Sequence, residues 1–338
     1  METDTWVIAK ASRGEYTTDA LRWETRPLPH LQNGQLLLRT VYLSLDPTLR
    51  NWLKLEAHSS PIPLKVGDVM VGQTISVVEE SAAPGFAKGD FVVGHTEWTT
   101  YAVADAARVS KPKSGVPLEA NMTIFNHIGY AAAAGMIGVG EVKANDTVVV
   151  SSAAGATGSL AAQIGKALGA RVIGIAGGAE KCAYLTGELG LDGAIDYKSE
   201  NVERALARLC PKGVTLFFDN VGGEILDAVL MNLVQNGRVA ICGQIATYNS
   251  DNRNDGQGVR NLMHLVFRTA RIQGFFAGQP QERMPEYDAT LVRLLNQGRL
   301  KTRSHVVKGL RQAPEALKLL FNGGNEGKLM VEVSPAVT

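Results

Sequence analysis

Cysteine is scarce: three residues in 338, at positions 182, 210 and 242, with no Cys-x-x-Cys pair. That excludes a disulfide scaffold and fits a reducing compartment. Net charge is nearly absent too, at +1 from 34 basic and 33 acidic residues. No broad basic face announces a nucleic acid. No uninterrupted apolar run approaches the roughly 18 residues of a membrane span. The opening METDTWVIAK lacks the basic and apolar regions of a secretion signal. A cytoplasmic protein with neither a nucleic-acid partner nor a membrane span is expected.

What is present is a chain that is 45% hydrophobic and long enough for two domains. Up to about residue 120 it carries short alternating or β-branched runs: QLLLRTVYLSL, DVMVGQTISVVEE and DFVVGHTEWTTYAVA. Turn residues at Asn33-Gly34, Pro84-Gly85 and Lys88-Gly89-Asp90 punctuate them, which predicts a compact β domain, a barrel or sandwich. From about residue 123 apolar strands alternate with amphipathic helices. Six strands are predicted at DTVVVSS, ARVIGIAG, GAIDY, VTLFFDN, GRVAICG and RIQGFFAG. Helices are predicted between them, including GEILDAVLMNLVQNG (223–237) and VRNLMHLVFRTA, and another near Pro285–Asn296. This is the pattern of an α/β fold with a doubly wound parallel sheet covered on both faces. The final GKLMVEV is a β run placed to rejoin the first domain. The expected domains are 1–122 with 305–338, and 123–304.

After the first strand of the second domain comes Ala153-Ala154-Gly155-Ala156-Thr157-Gly158, an A-x-G-x-x-G form of the dinucleotide loop. Gly155 removes a side chain where backbone approaches a pyrophosphate, and Gly158 lets helix lie close to strand. Ala153 replaces only the glycine of the tight turn. An acid about 20 residues past the loop normally binds the ribose hydroxyls of NAD. Here that region reads AGGAEK. Gly177 and Gly178 leave space, Lys181 supplies a cation, and Tyr197 adds a phenol donor. Glu180 reads as a helix-starting acid. The cofactor expected is NADPH. The competing reading of Lys181 is a solvated first-turn lysine.

Ligands of open α/β sheets lie across the carboxyl ends of the strands. Three later strands end in Asp219-Asn220, in Cys242-Gly243-Gln244-Ile245 leading to Tyr248, and in Gly274-Phe275-Phe276. Asn220, Cys242 to Ile245 and Phe275 are candidate cofactor-lining residues. The structural alternatives are a turn with a helix cap for Asp219-Asn220 and core packing for Phe275-Phe276.

Taken together, LSLDPTLR, AKGDFVVGHTEWTTYAV, AAGATGSLAAQIGKALG, AGGAEK, FDNVGGEILDAVL, GRVAICGQIATYN and GNEGKLMVEV resemble the medium-chain dehydrogenase/reductase superfamily. More narrowly, they resemble its zinc-free NADPH-dependent alkenal double-bond reductases, the branch of the prostaglandin reductases. The resemblance implies a GroES-like β-barrel domain, a Rossmann domain and a homodimer. It implies cofactor contacts at Gly155, Ala156, Thr157, Gly158, Gly178, Lys181, Tyr197, Asn220, Cys242, Gly243, Gln244, Ile245, Tyr248, Phe275, Phe276, Ala277 and Asn325.

Three departures bear on the substrate: Gly178 for the usual serine of GSDEK, Thr48 for an aromatic after Asp-Pro, and a polar loop at Asp251–Arg260. The zinc alcohol dehydrogenases need Cys and His/Glu ligands. No cysteine precedes Cys182, Gly72-Gln73-Thr74 stands where they carry Gly-His-Glu, and His58, His95 and His127 are isolated. No metal is expected. The implied reaction is metal-free reduction of the C=C bond of an α,β-unsaturated aldehyde or ketone. Hydride goes to the β-carbon and Tyr248 is the candidate donor to the enolate, the competing reading being that it only packs on nicotinamide or substrate. A zinc-free NADPH quinone reductase and a non-catalytic NADPH-binding sensor or structural protein are the competing readings.

Overall fold

The computed structural model describes residues 1–56, 62–250 and 259–336. His58 and residues 251–258 of the polar loop lie outside the described residues. Two compact units emerge. One comprises Met1–Met122, Ser304–Asn325 and the stretch from Leu329 onward; the other comprises Thr123–Arg303 and Glu326–Lys328.

In the first unit β1 (Glu2–Ile8) and β2 (Leu21–Pro27) form an antiparallel pair in which Trp6 faces Trp23. The strands β3 (Gln35–Ser44), β4 (Val71–Ser81), β5 (Phe91–Glu97), β6 (Tyr101–Asp105) and β7 (Val109–Ser110) follow. Eight successive residues of β4 are buried, so this strand has no solvent face. Leu36, Leu38, Val78 and Val92 form one core cluster. Trp98, Leu43, Leu45 and Leu49 belong to another.

The second unit holds a six-stranded parallel sheet: β8 (Thr147–Val150), β9 (Arg171–Ala176), β10 (Gly193–Asp196), β11 (Val214–Asp219), β12 (Leu233–Ile241) and β13 (Arg271–Gly274). Its order is β10-β9-β8-β11-β12-β13. Val149, Ile173, Ile195 and Phe217 are fully buried, each contributing about 1.5–3 kcal/mol over its exposed state. Helices cover both faces, which is why the strands read as continuous apolar runs. The strand order reverses between β8 and β11, and it is across the carboxyl ends at such a switch point that ligands of open α/β sheets bind.

The helix after β11 is shorter than its sequence predicts. It spans Gly223–Met231, and the chain is already in β12 at Leu233, paired with Val214. Asn232 ends the helix by donating from its side-chain amide to the carbonyl of Ala228 at 2.9 Å. The strand then bulges: its register shifts between Val214 and Leu216, and Asn236 has φ of +58°. A bulge with an Asn-Gly kink breaks the alternation that marks a strand, so the segment reads as helix. The helix expected over VRNLMHLVFRTA is likewise confined to Met263–Phe267.

The last strands are β14 (Ser304–Lys308) and β15 (Lys328–Glu332). The returning β15 pairs antiparallel with β3, placing Met330 opposite Ser44. The sheet of the first unit then has the order β14-β15-β3-β4-β5-β7, with β6 on β3.

Candidate active site

The glycine loop leaves β8 through a sharp turn whose left-handed residue is Ser152, at φ +49°. Ala153 does not take positive φ and is fully buried, its N–H donating to the Ile175 carbonyl at 3.0 Å. A glycine is therefore not needed there. Gly155, in extended conformation, leads into the helix Ala156–Ala167, whose first turn holds Ala156, Thr157 and Gly158. A β-carbon on Gly158 would stand 2.2 Å from the Ser152 carbonyl oxygen, so only glycine lets helix and loop touch. A second segment closes on the loop: Gly327 forms a parallel bridge with Gly155, and Lys328 N–H donates to the Arg303 carbonyl at 2.8 Å. Arg303 bonds Glu326 at 2.9 Å and Glu188 at 2.5 Å, and lies over the Tyr184 ring at 4.3 Å. Tyr184, Arg303, Glu326 and Gly327, with Ala154, Glu180 and Lys181, line a small cavity.

Beyond β9 the two glycines of AGGAEK play different parts. Gly178 has φ of +98°, and nothing lies within 4 Å of where its β-carbon would be. Gly177 admits a close approach instead: a β-carbon there would be 3.0 Å from the Tyr197 hydroxyl. Tyr197 is 46% exposed. Lys181 is partly buried. Burial first and Lys198 second lower its pKa, while Glu326 and Glu180 act in the opposite sense.

An acid stands in this neighbourhood after all, one that sequence reasoning passed over. Asp196 ends β10, and its Oδ1 accepts the N–H groups of Gly178 at 2.7 Å and of Lys198 at 3.0 Å. The Gly178 bond, followed by others to backbone and Ser199, holds its carboxyl below the usual range. The carboxylate is engaged as scaffold. Its only sequence signal is an acid closing a short strand.

The other end of the site is organised by Asp219, which is fully buried. Its carboxylate accepts the Ser151 hydroxyl at 2.8 Å, Val221 N–H at 2.9 Å and Gly222 N–H at 3.1 Å. Burial pushes its pKa up, against the pull of these hydrogen bonds. The turn half of the structural alternative holds for Asp219, whereas the helix cap does not, since no side chain caps the helix that follows Gly222. Asp219 is also a tie between β8 and β11 that sequence reasoning missed. Asn220 donates from its side-chain amide to the Ser151 carbonyl at 2.7 Å.

The chain beyond β12 is tied to the same turn. Cys242 and Gly243 donate to the Asp219 carbonyl, Ile245 to that of Asn220, and Ala246 to that of Val221. Burial, then the Asp219 carboxylate, push the Cys242 thiol up to about 12, so it is no nucleophile. The Tyr248 hydroxyl lies over Gly243, 3.2 Å from where a β-carbon would be, and accepts Gln244 N–H at 3.5 Å. Burial raises its pKa.

The expected residues thus gather in three clusters: Gly155 to Gly158; Gly178, Lys181 and Tyr197; and Asn220, Cys242 to Ile245 and Tyr248. Phe275 is half-buried and packs against Phe218 with ring centroids 6.0 Å apart. Phe276 is 68% exposed, and Ala277 is half-buried beside it. Asn325 belongs to the other unit. Among the described residues no group of three or more His, Cys, Asp or Glu is disposed to hold a metal ion, and no helix is long and apolar enough to cross a membrane.

Residues 4–111 match the family model described as the N-terminal domain of oxidoreductase, and residues 156–293 the one described as zinc-binding dehydrogenase. The chain is 34% identical over 333 residues to the NADPH-dependent curcumin reductase of Escherichia coli (strain K12), covering 97% of this chain and 96% of that one. It is 36% identical over 305 residues to the 2-alkenal reductase (NADP(+)-dependent) of Nicotiana tabacum, covering 89% and 88%. Its fold superposes on CurA from Vibrio vulnificus in complex with NADPH with a TM-score of 0.90 at 34% identity, covering 98% and 99%. The chain belongs to the medium-chain dehydrogenase/reductase family, in the branch that holds the curcumin, 2-alkenal and prostaglandin reductases.

Proposed function

We propose that this protein is an NADPH-dependent reductase of the C=C bond of α,β-unsaturated aldehydes and ketones. The observation that carries the reading is the site around Gly177 and Gly178. Gly178 faces open space between the segments that carry Lys181 and Tyr197, and the acid that ends β10, Asp196, has its Oδ1 engaged by backbone donors. This supports a 2′-phosphate there, with Asp196 turned to the backbone in place of the ribose hydroxyls of NAD. The close loop at Gly158 and the bridge from Gly327 supply a backbone cradle for the pyrophosphate. The remaining cofactor contacts are assigned to Ala156, Thr157, Asn220, Cys242 to Ile245, Phe275 to Ala277 and Asn325.

Bound NADPH supplies the hydride for the β-carbon of the substrate. The chain's own task is to stabilise the enolate that then develops on the substrate oxygen. Tyr248 suits it. Its oxygen accepts Gln244 N–H, which leaves its own proton to donate, and its raised pKa keeps that proton on at neutral pH. A donor aimed at developing charge is worth more than one matched to the ground state. No metal enters this scheme, in keeping with a chain that has no cysteine before Cys182.

We also read the protein as a cytoplasmic homodimer. The edge strand β13 and the neighbouring Val266 and Phe267, 67% and 68% exposed, present backbone donors and apolar surface that a second copy would cover. Light scattering on wild type and Phe267→Asp tests this; a monomeric wild type overturns it.

The deciding experiment is a panel of enones, alkenals and quinones assayed with NADPH and with NADH. Turnover of enones and alkenals with NADPH is expected. Preference for NADH overturns the cofactor reading, turnover confined to quinones makes the protein a quinone reductase, and NADPH binding without turnover makes it a sensor.

A further inference from the structure

We infer that Lys198 is a second cation for the 2′-phosphate of NADPH, converging with Tyr197 on the space beside Gly177. The inference rests on the NADPH reading above and adds a residue to it.

Tyr197 and Lys198 are sequence neighbours, which in a strand would point to opposite faces. Here β10 has already ended at Asp196, and the chain turns. Tyr197 N–H donates to the Ala176 carbonyl and Ser199 N–H to the Asp196 carbonyl, both at 3.1 Å. The Asp196 carboxylate holds Lys198 N–H and Gly178 N–H together. Both side chains are thereby brought to one spot. A β-carbon on Gly177 would lie 3.0 Å from the Lys198 Cε and 3.0 Å from the Tyr197 hydroxyl. The ammonium is one bond beyond that Cε, which keeps it in the neighbourhood of the Tyr197 hydroxyl.

The charge balance points the same way. Lys198 forms no ion pair among the described residues, and its charge is felt by Lys181, whose pKa it helps to lower. Two like charges kept near each other are unfavourable unless an anion shares them. Asp196, whose carboxyl feels the Lys198 charge, and Glu180 and Glu326 near Lys181 fill that role only in part, since the Lys181 pKa remains lowered. A phosphate carrying close to two negative charges fills it, with the Tyr197 hydroxyl as a neutral donor beside it.

The test is steady-state kinetics on an enone with NADPH and with NADH, for wild type, Lys198→Ala and Lys198→Arg, together with binding of 2′,5′-ADP and 5′-AMP. Lys198→Ala is expected to raise KM for NADPH and weaken 2′,5′-ADP by about tenfold. KM for NADH and affinity for 5′-AMP stay within twofold, and Lys198→Arg restores most of the loss. Because Lys198 is exposed, Tm is expected to be unchanged. Equal increases for NADPH and NADH, or no increase at all in a wild type that prefers NADPH, overturn the inference alone. A wild type with no preference for NADPH overturns the cofactor reading and the inference with it.

Discussion

The two ends of the site are built on opposite principles. At the end of β9 and β10 the proposed cofactor groups are two cations, Lys181 and Lys198, with Tyr197 and the bare Gly178. At the ends of β8, β11 and β12 they are uncharged groups tied through the carboxylate and the backbone carbonyl of one buried residue, Asp219. Each end contains an acid, and in each the acid faces backbone N–H groups. The solvated one is held below the usual carboxylate range and the buried one above it. On the proposed reading one end selects by charge, which operates through water and tolerates motion. The other sets geometry, which needs fixed hydrogen bonds in a dry place.

Substitutions can break this contrast. Gly158→Val strikes the loop that both ends share, with a side chain 2.2 Å from a carbonyl oxygen. Loss of cofactor binding in a fluorescence titration is expected, with a stability decrease of about 1–3 kcal/mol. Lys181→Ala touches only the charged end. KM for NADPH is expected to rise by about thirtyfold while KM for NADH barely moves, and the NADPH effect shrinks as salt is added. Equal effects on the two cofactors would make Lys181 a structural residue.

Tyr248→Phe touches only the other end. Its kcat on an enone is expected to fall about tenfold with NADPH affinity unchanged; an unchanged kcat removes Tyr248 from the mechanism. Ser151→Ala takes one donor from Asp219 and is expected to cost about 1 kcal/mol in chemical denaturation. A kcat loss of a few-fold accompanies it, with no shift in the preference for NADPH.

The smallest effect is one of pH. Burial raises the Tyr248 pKa, so its protonated form persists below that raised value and is lost only as pH rises through it. No fall in kcat from phenol ionisation is expected up to pH about 10. A decline between pH 8 and 9 that Tyr248→Phe abolishes would contradict the assignment.

Much of this was legible in the sequence, and the exceptions have physical reasons. The six-stranded parallel sheet was legible because apolar strands alternate with amphipathic helices. The glycine loop and AGGAEK could be placed because their chemistry is local. Ser152 as the left-handed residue was not legible, since a serine gives no sign of positive φ. Nor was the tie from Ser151 to Asp219, which joins residues 68 positions apart. Asp196 and Lys198 were hidden for a related reason: their roles depend on a turn that folds back over the neighbouring strand end. Leu233 was read as helical because the bulge in β12 spoils its period.

The bridge between Gly155 and Gly327 also bears on the order of events during synthesis. The glycine loop leaves the ribosome well before Gly327, the residue that bridges to it. A nascent chain can build the strands β8 to β12 and still lack that bridge. A nucleotide held at the loop as proposed would therefore stabilise only chains in which Gly327 has already been made.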